Sequence, residues 1–318
     1  MPSRSAPLSR SVTIPKVAVV PRSNRALAEA VERGGGALAE PHDADALVWT
    51  DPSAPQALAE LLAHSPARWV QLPFAGIEQF VKENVIDSRR TWTCAKGIYG
   101  HATAEHALAL LLAGARLLNV HVRSRKWVGE GASASRRLAT STVMIVGTGG
   151  IGAALRDMLL PIGSRIVAVN RSGRPLSGAA QSLPAEHISR ALPGTDFVVL
   201  AAPATLATER LVNASFLDAM KDDAWLVNVA RGTLVDTDAL VAALECGRLG
   251  GAALDVTDPE PLPDGHPLWR LANVIITGHT ANTWRMAVPE LARLVERNVR
   301  RFAAGDGLDG VIDPELGY

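Results

Sequence analysis

The chain has few cysteines, no surplus of charge of either sign and no long apolar run, and each shortage removes a class of function. Two cysteines in 318 residues, Cys94 and Cys246, are too few for a disulfide framework and fit a reducing compartment. Lysine plus arginine number 32 and aspartate plus glutamate 32, so the formal charge is zero. Counterion-driven binding needs clustered positive charge, so a nucleic-acid surface is not expected as the main business. The N-terminal stretch MPSRSAPLSRSVTIPK has basic residues but no apolar core behind them, so it reads as a frayed tail rather than a secretory signal. The most apolar helical stretch, ALALLLAGARLL, is interrupted by Arg116 and is too short to span a bilayer. These absences point to the cytoplasm and away from membranes. Histidines and acids are scattered without the spacing of metal ligands, so no metal site is expected.

What is present is a rhythm of short apolar run, turn and helical stretch. Apolar residues make up 47% of the chain, enough for two domains with a large interior. In the first hundred residues the runs are VAVV (17–20), ALVW (46–49) and WVQLPF (69–74), with helical segments near 24–33 and 54–64. A strongly helical segment follows at 102–118, then the basic, Gly/Ser-rich stretch HVRSRKWVGEGASASRRLAT, read as an exposed arm. A second series runs through 142–147, 165–170, 196–202, 224–230, 251–256 and 273–278. Continuous apolar runs alternating with helices predict parallel strands covered on both faces. The expected fold is therefore α/β, with six strands of the second series in a doubly wound sheet. Asp236 is placed to cap a helix over DALVAALEC, with Gly247 just beyond its end. The amphipathic last segment, WRMAVPELARLVERNVRRFAAG, is expected to return to the first domain, which makes that domain discontinuous: 1–100 with 284–318, against 101–283.

VMIVGTGGIG sets Gly147, Gly149 and Gly152 after a strand and before a helix, the context that makes this pattern a dinucleotide site. Gly147 permits the tight turn, Gly149 lets backbone approach a pyrophosphate, and Gly152 lets helix and strand pack closely. The helix N-terminus then offers N–H groups to the anion. An acid at the end of the next strand would bond the ribose 2′-hydroxyl of NAD and repel the 2′-phosphate of NADP. Here VAVNRSGRP supplies Asn170, Arg171 and Ser172, with Arg174 nearby. A guanidinium and a hydroxyl suit a phosphate, so NADPH is the expected cofactor, with NADH as the weaker one.

Three stretches carry the chemistry. VNVARGTLVD puts Arg231 after the C-terminal end of a strand, ALDVTDPEPLP puts Glu260 in a turn after the next, and VIITGHTAN puts His279 at the end of the last. Ligands of parallel sheets bind at such ends. Singly, each residue has an ordinary alternative as an ion-pair partner, a solvated turn residue or a satisfied core histidine.

With WVQLPFAGIEQF, AEHALALLLAGAR, VGTGGIG, LVNVARGTLVDTDALVAALECGRLGGAALDVTDPEPLP, HPLW and ITGHTAN, the chain resembles the D-isomer-specific 2-hydroxyacid dehydrogenase family from about Trp49 nearly to its end. Within that family it resembles the NADPH-dependent glyoxylate/hydroxypyruvate reductase-like branch. The resemblance implies two doubly wound domains, a Rossmann cofactor domain and a smaller flavodoxin-like substrate domain, with a cleft between them. It makes Arg231, Glu260 and His279 the catalytic set. Gly150, Ile151, Pro203, Ala230 and Asp255 join the cofactor contacts. Ala75 and Gly76 offer backbone N–H groups to the substrate carboxylate, and Trp49 and Tyr99 match pocket-lining positions. The implied reaction is reduction of a small 2-oxo acid to a D-2-hydroxy acid by a homodimer. Two positions depart from the family: Gly278 stands where proline is usual before the histidine, and Asn282 where a small residue is usual. His106 reads as helix packing. The alternatives are a D-3-phosphoglycerate dehydrogenase-like enzyme and a dinucleotide-sensing, protein-binding module.

Overall fold

The computed structural model describes residues 14–127 and 135–313. The expected frayed N-terminus lies outside them apart from its last three residues, as does part of the basic arm. The chain divides into two compact units, Met1–Ile98 with Trp284–Tyr318, and Tyr99–Thr283.

The first unit begins with β1 (Lys16–Val20), α1 (Arg25–Arg33), β2 (Ala37–Leu38), β3 (Ala46–Trp49), α2 (Pro55–Ala63), β4 (Trp69–Gln71), α3 (Glu78–Lys82) and β5 (Thr91–Thr93). Its five strands are parallel in the order β2-β1-β3-β4-β5. Leu47, Trp49, Val70 and Trp92 meet Leu58, Leu62 and Phe80 in its core.

The second unit contains α4 (Gly100–Ala115), α5 (Leu118–Arg123), β6 (Thr142–Val146), α6 (Gly150–Leu159), β7 (Arg165–Asn170), β8 (Gln181–Pro184), β9 (Phe197–Leu200), α7 (Ala214–Ala219), β10 (Trp225–Asn228), α8 (Thr237–Glu245), β11 (Gly251–Leu254) and β12 (Val274–Ile276). Its seven parallel strands run β12-β11-β10-β9-β6-β7-β8. Successive strand residues point to opposite faces, and here both faces are apolar. Val143 and Ile145 of β6 pack with Phe197, Val199 and Trp225 beneath α4 and α6. Met144 and Val146 pack on the other side with Leu226, Phe216 and Leu240. That two-sided burial is why the strands read as unbroken apolar runs.

Three differences from the sequence reading have a common cause. β2 is only two exposed residues, β5 and β8 carry no continuous apolar run, and each of the three is an edge strand. The helical segment expected over 102–118 breaks at Leu117, whose φ of +50° is left-handed, and α5 starts there. Asp236 does cap α8, accepting from the Ala239 N–H at 3.1 Å, and Gly247 follows the helix with φ +72°. After the second unit, α9 (Trp284–Ala304) belongs to the first unit. There Glu296 pairs with Arg33 of α1 at 3.0 Å, and buried Asn298 donates to Gln71 Oε1 at 3.1 Å.

Candidate active site

The second unit's sheet presents its strand ends as a row of short loops. After β6 the chain turns at Gly147, whose φ is +102° and whose added Cβ would lie 2.5 Å from the Ala202 nitrogen. A Cβ on Gly152 would lie 2.0 Å from the Gly147 oxygen, so a side chain there would push α6 off the strand. Gly149 has nothing within 4 Å, which leaves the front of the loop open at the N-terminus of α6. Gly150 and Ile151 begin that helix, whose first N–H groups lack helical acceptors. A closed back and an open front fit a pyrophosphate held by backbone.

At the end of β7, Asn170 organises its own turn. Its Oδ1 accepts from the Ser172 and Arg174 N–H groups at 3.2 and 3.0 Å, and its Nδ2 donates to the Arg174 carbonyl at 2.8 Å. The carboxamide is thus spent on the loop, and Arg171, Ser172 and Arg174 are left exposed. No carboxylate lies among residues 170–174. After β9, Pro203 is exposed and its carbonyl accepts from Thr208 Oγ1 at 2.7 Å.

β10, β11 and β12 are neighbours, and their ends carry Arg231, Asp255 with Glu260, and His279. Asn228, buried at the end of β10, donates to the Arg231 carbonyl at 2.9 Å and accepts from the N–H of buried Ala230 at 3.0 Å. The next residue, Gly232, passes so close to the Glu260 turn that a Cβ would lie 1.9 Å from the Thr257 oxygen. His279 Nδ1 stands 2.5 Å from Glu260 Oε1, with both side chains roughly half exposed. The structure therefore brings Glu260 and His279 together directly and sets Arg231 on the adjacent strand end.

Asp255 is the hub of this edge. Its Oδ1 accepts from Thr277 Oγ1 at 2.6 Å and the Thr280 N–H at 2.8 Å, and its Oδ2 accepts from the Ala281 N–H at 3.0 Å. Its carbonyl accepts from the His279 N–H at 2.5 Å. Burial alone would raise its pKa, but hydrogen bonds from His106, Thr277, Thr280 and Ala281 outweigh burial and hold the carboxyl at about 2. Gly278 and His279 are both left-handed, with φ of +55° and +57°. Proline, locked near −65°, does not fit the conformation at 278, which accounts physically for glycine there.

Of the remaining expected residues, Trp49 lies buried in the first unit's core at the end of β3, its indole N–H donating to the Asp51 carbonyl. Ala75 and Gly76 lie in the loop after β4, Ala75 exposed and Gly76 partly so. Tyr99 immediately precedes α4. Asn282 keeps its Oδ1 buried without a hydrogen-bond partner. Sequence reasoning missed Asn228 and Thr277, and it read His106 as packing. His106 Nε2 in fact lies 2.9 Å from Thr277 Oγ1 and 3.3 Å from Asp255 Oδ1. The available signal was a polar residue closing an otherwise apolar run, as in WLVN and VIIT. Among the described residues no group of three or more His, Cys, Asp or Glu could hold a metal ion, and no helix is long and apolar enough to cross a membrane.

Residues 106–281 match the family model described as D-isomer specific 2-hydroxyacid dehydrogenase, NAD binding domain. That span holds the glycine loop, Arg231, Glu260 and His279. An uncharacterized protein in the proB 3′ region of Corynebacterium melassecola is 41% identical over 79% of this chain and 84% of its own length. A glyoxylate reductase of Pyrococcus furiosus is 38% identical over 68% of this chain and 67% of its own. The crystal structure of a D-isomer specific 2-hydroxyacid dehydrogenase from Xanthobacter autotrophicus Py2, in complex with NADPH and MES, superposes with a TM-score of 0.82 at 25% identity, covering 96% of this chain and all of that one. The chain belongs to the D-isomer specific 2-hydroxyacid dehydrogenase family. It is an NAD(P)-dependent oxidoreductase built on two parallel-sheet α/β units.

Proposed function

We propose that the protein is an NADPH-preferring reductase that converts a small 2-oxo acid, of the glyoxylate or hydroxypyruvate kind, to a D-2-hydroxy acid. The observation that carries this reading is the 2.5 Å contact between His279 Nδ1 and Glu260 Oε1 at the strand ends of a nicotinamide-binding unit. Glu260 fixes the ring through Nδ1, so Nε2 faces the substrate and donates its proton to the carbonyl oxygen. Arg231 binds that oxygen and one carboxylate oxygen and stabilises the negative charge that develops there. Bound NADPH would supply the hydride for the carbonyl carbon. As the C=O π pair moves to oxygen, the His279 proton completes the hydroxyl.

Gly147, Gly149, Gly150, Ile151 and Gly152 hold the pyrophosphate, while Pro203, Ala230 and Asp255 complete the cofactor's surroundings. Arg171 and Ser172 hold the 2′-phosphate, and Asn170 shapes the turn that presents them. Ala75 and Gly76 bind the substrate carboxylate through backbone N–H groups, and Trp49 and Tyr99 contribute to the substrate pocket. In this reading the first unit binds substrate, the second binds cofactor, and the protein works in the cytoplasm as a homodimer. Support for the substrate comes from the Pyrococcus relative named glyoxylate reductase. Support for the cofactor comes from the Xanthobacter complex with NADPH and from the missing acid at 170.

The test is the initial rate of NADPH and NADH oxidation, side by side, with glyoxylate, hydroxypyruvate, pyruvate and 3-phosphohydroxypyruvate. Faster NADPH oxidation with either of the first two supports the proposal. A preference for 3-phosphohydroxypyruvate moves the chain to the phosphoglycerate dehydrogenase-like alternative. Cofactor binding without turnover of any of the four contradicts the reductase reading and favours a dinucleotide sensor.

A further inference from the structure

The hydrogen bonds around Asp255 leave one residue whose role neither the motif nor the reaction assigns. His106, the seventh residue of α4, reaches across 171 positions of sequence to the end of β12. Its Nε2 lies 2.9 Å from Thr277 Oγ1 and 3.3 Å from Asp255 Oδ1. The hydroxyl of Thr277 has one proton, and at 2.6 Å it gives that proton to Asp255. Thr277 can then only accept from His106, and the Asp255 carboxylate can only accept as well. Nε2 therefore carries a hydrogen and points it at both oxygens.

The segment these groups hold is the one that presents His279. Asp255 takes the N–H of His279 on its carbonyl and those of Thr280 and Ala281 on its carboxylate. Thr280 Oγ1 donates back to the Thr277 carbonyl at 2.6 Å. Only Gly278, in the middle, is without such a tie to Asp255 or Thr277. A left-handed histidine following a left-handed glycine is a sparsely populated backbone, and it persists only where its surroundings over-determine it. His106 is the member of this cage that comes from a helix, so it anchors the cage to α4.

We propose that His106 is a positioning residue: through Thr277 and Asp255 it fixes residues 277–281 and so aims the His279 ring, a role that rests on reading His279 as the proton donor. In this reading His106 acts through Thr277 and Asp255 and not on the substrate itself.

Two variants separate positioning from packing. His106→Leu keeps bulk and loses the donor, whereas His106→Gln keeps a donor of similar reach. Loss of one hydrogen bond to a charged group predicts that His106→Leu lowers kcat about tenfold, with KM for the 2-oxo acid and for NADPH changing by less than about twofold. His106→Gln recovers most of kcat. A second readout needs no turnover: ring resonances of His279, assigned by their loss in His279→Ala, shift or broaden in His106→Leu and hold their places in His106→Gln. Should His106→Leu not fold, Thr277→Val removes the bridging hydroxyl and carries the same expectation. Native kcat with unshifted His279 resonances in His106→Leu overturns the proposal. So does an equal loss in both variants accompanied by a matching fall in melting temperature, which marks packing alone. If the native chain turns over no 2-oxo acid, the functional reading fails, while the ring resonances still decide whether His106 positions His279.

Discussion

Asp255→Asn removes one oxygen from the hub on which the His279 segment hangs. The carboxylate divides its work unevenly: Oδ1 accepts from Thr277, Thr280 and His106, and Oδ2 from the Ala281 N–H alone. An asparagine therefore keeps its oxygen at the crowded position and turns its NH2 toward the Ala281 N–H. One hydrogen bond to a charged acceptor is lost and two buried donors face each other, a cost of about 2–3 kcal/mol. The charge gives an independent figure. Holding the carboxyl at about 2 against the ordinary 3.8 of an aspartate corresponds to about 2 kcal/mol of stability at neutral pH. The folded pKa is the depressed one, so this contribution is complete above the unfolded pKa. It is lost as pH falls from that value through the folded one. The assay is amide exchange of the peptide spanning 277–283, read beside urea unfolding at pH 7 and at steps between pH 4.5 and 2.5. The variant is expected to exchange about thirtyfold faster at pH 7, which is 2 kcal/mol expressed as an equilibrium ratio, and its deficit in stability is expected to shrink toward pH 2. Equal exchange at pH 7, or a deficit that ignores pH, refutes the account of Asp255.

Gly278→Pro replaces a φ of +55° with one locked near −65°, so it should unseat His279 and abolish turnover in the steady-state assay, whereas Gly278→Ala meets nothing within 4 Å and should cost only the left-handed penalty of about 1–2 kcal/mol on thermal unfolding. Arg171→Asp restores an acid to the β7 turn. It should raise KM for NADPH at least tenfold, on the order of one lost charge-assisted pair, and leave KM for NADH much less changed; equal loss for both would remove Arg171 from the cofactor site. Gly152→Ala puts a Cβ 2.0 Å from the Gly147 oxygen, so NADPH titration followed by nucleotide fluorescence should show binding lost or severely weakened.

Sequence made the architecture legible where burial is two-sided. Strands such as β6 and β9 have both faces covered and must be apolar wherever they are buried, so the VMIV of β6 and the FVVL of β9 could be read directly. Edge strands escape that constraint. Ala37–Leu38 is exposed, TWT alternates with threonine, and QSLP ends in proline, and the structure makes all three of them edges. In the same way Arg231, Glu260 and His279 stood out because strand ends concentrate chemistry, and the Glu260–His279 pair is formed. Asn228, Thr277 and His106 did not stand out. Their partners are fixed by register between strands and by the docking of α4, which no local pattern of residues encodes.

The central claim is that His279 supplies the proton to a 2-oxo acid reduced at the strand ends of the second unit. The most direct measurement is kcat/KM of His279→Ala with the best 2-oxo acid found, alongside its affinity for NADPH. Loss of a general acid predicts a fall of about 10²–10⁴ in kcat/KM with NADPH affinity unchanged. A variant that retains near-native turnover contradicts the account, because the residue that Glu260 holds at 2.5 Å would then not be the one that completes the hydroxyl.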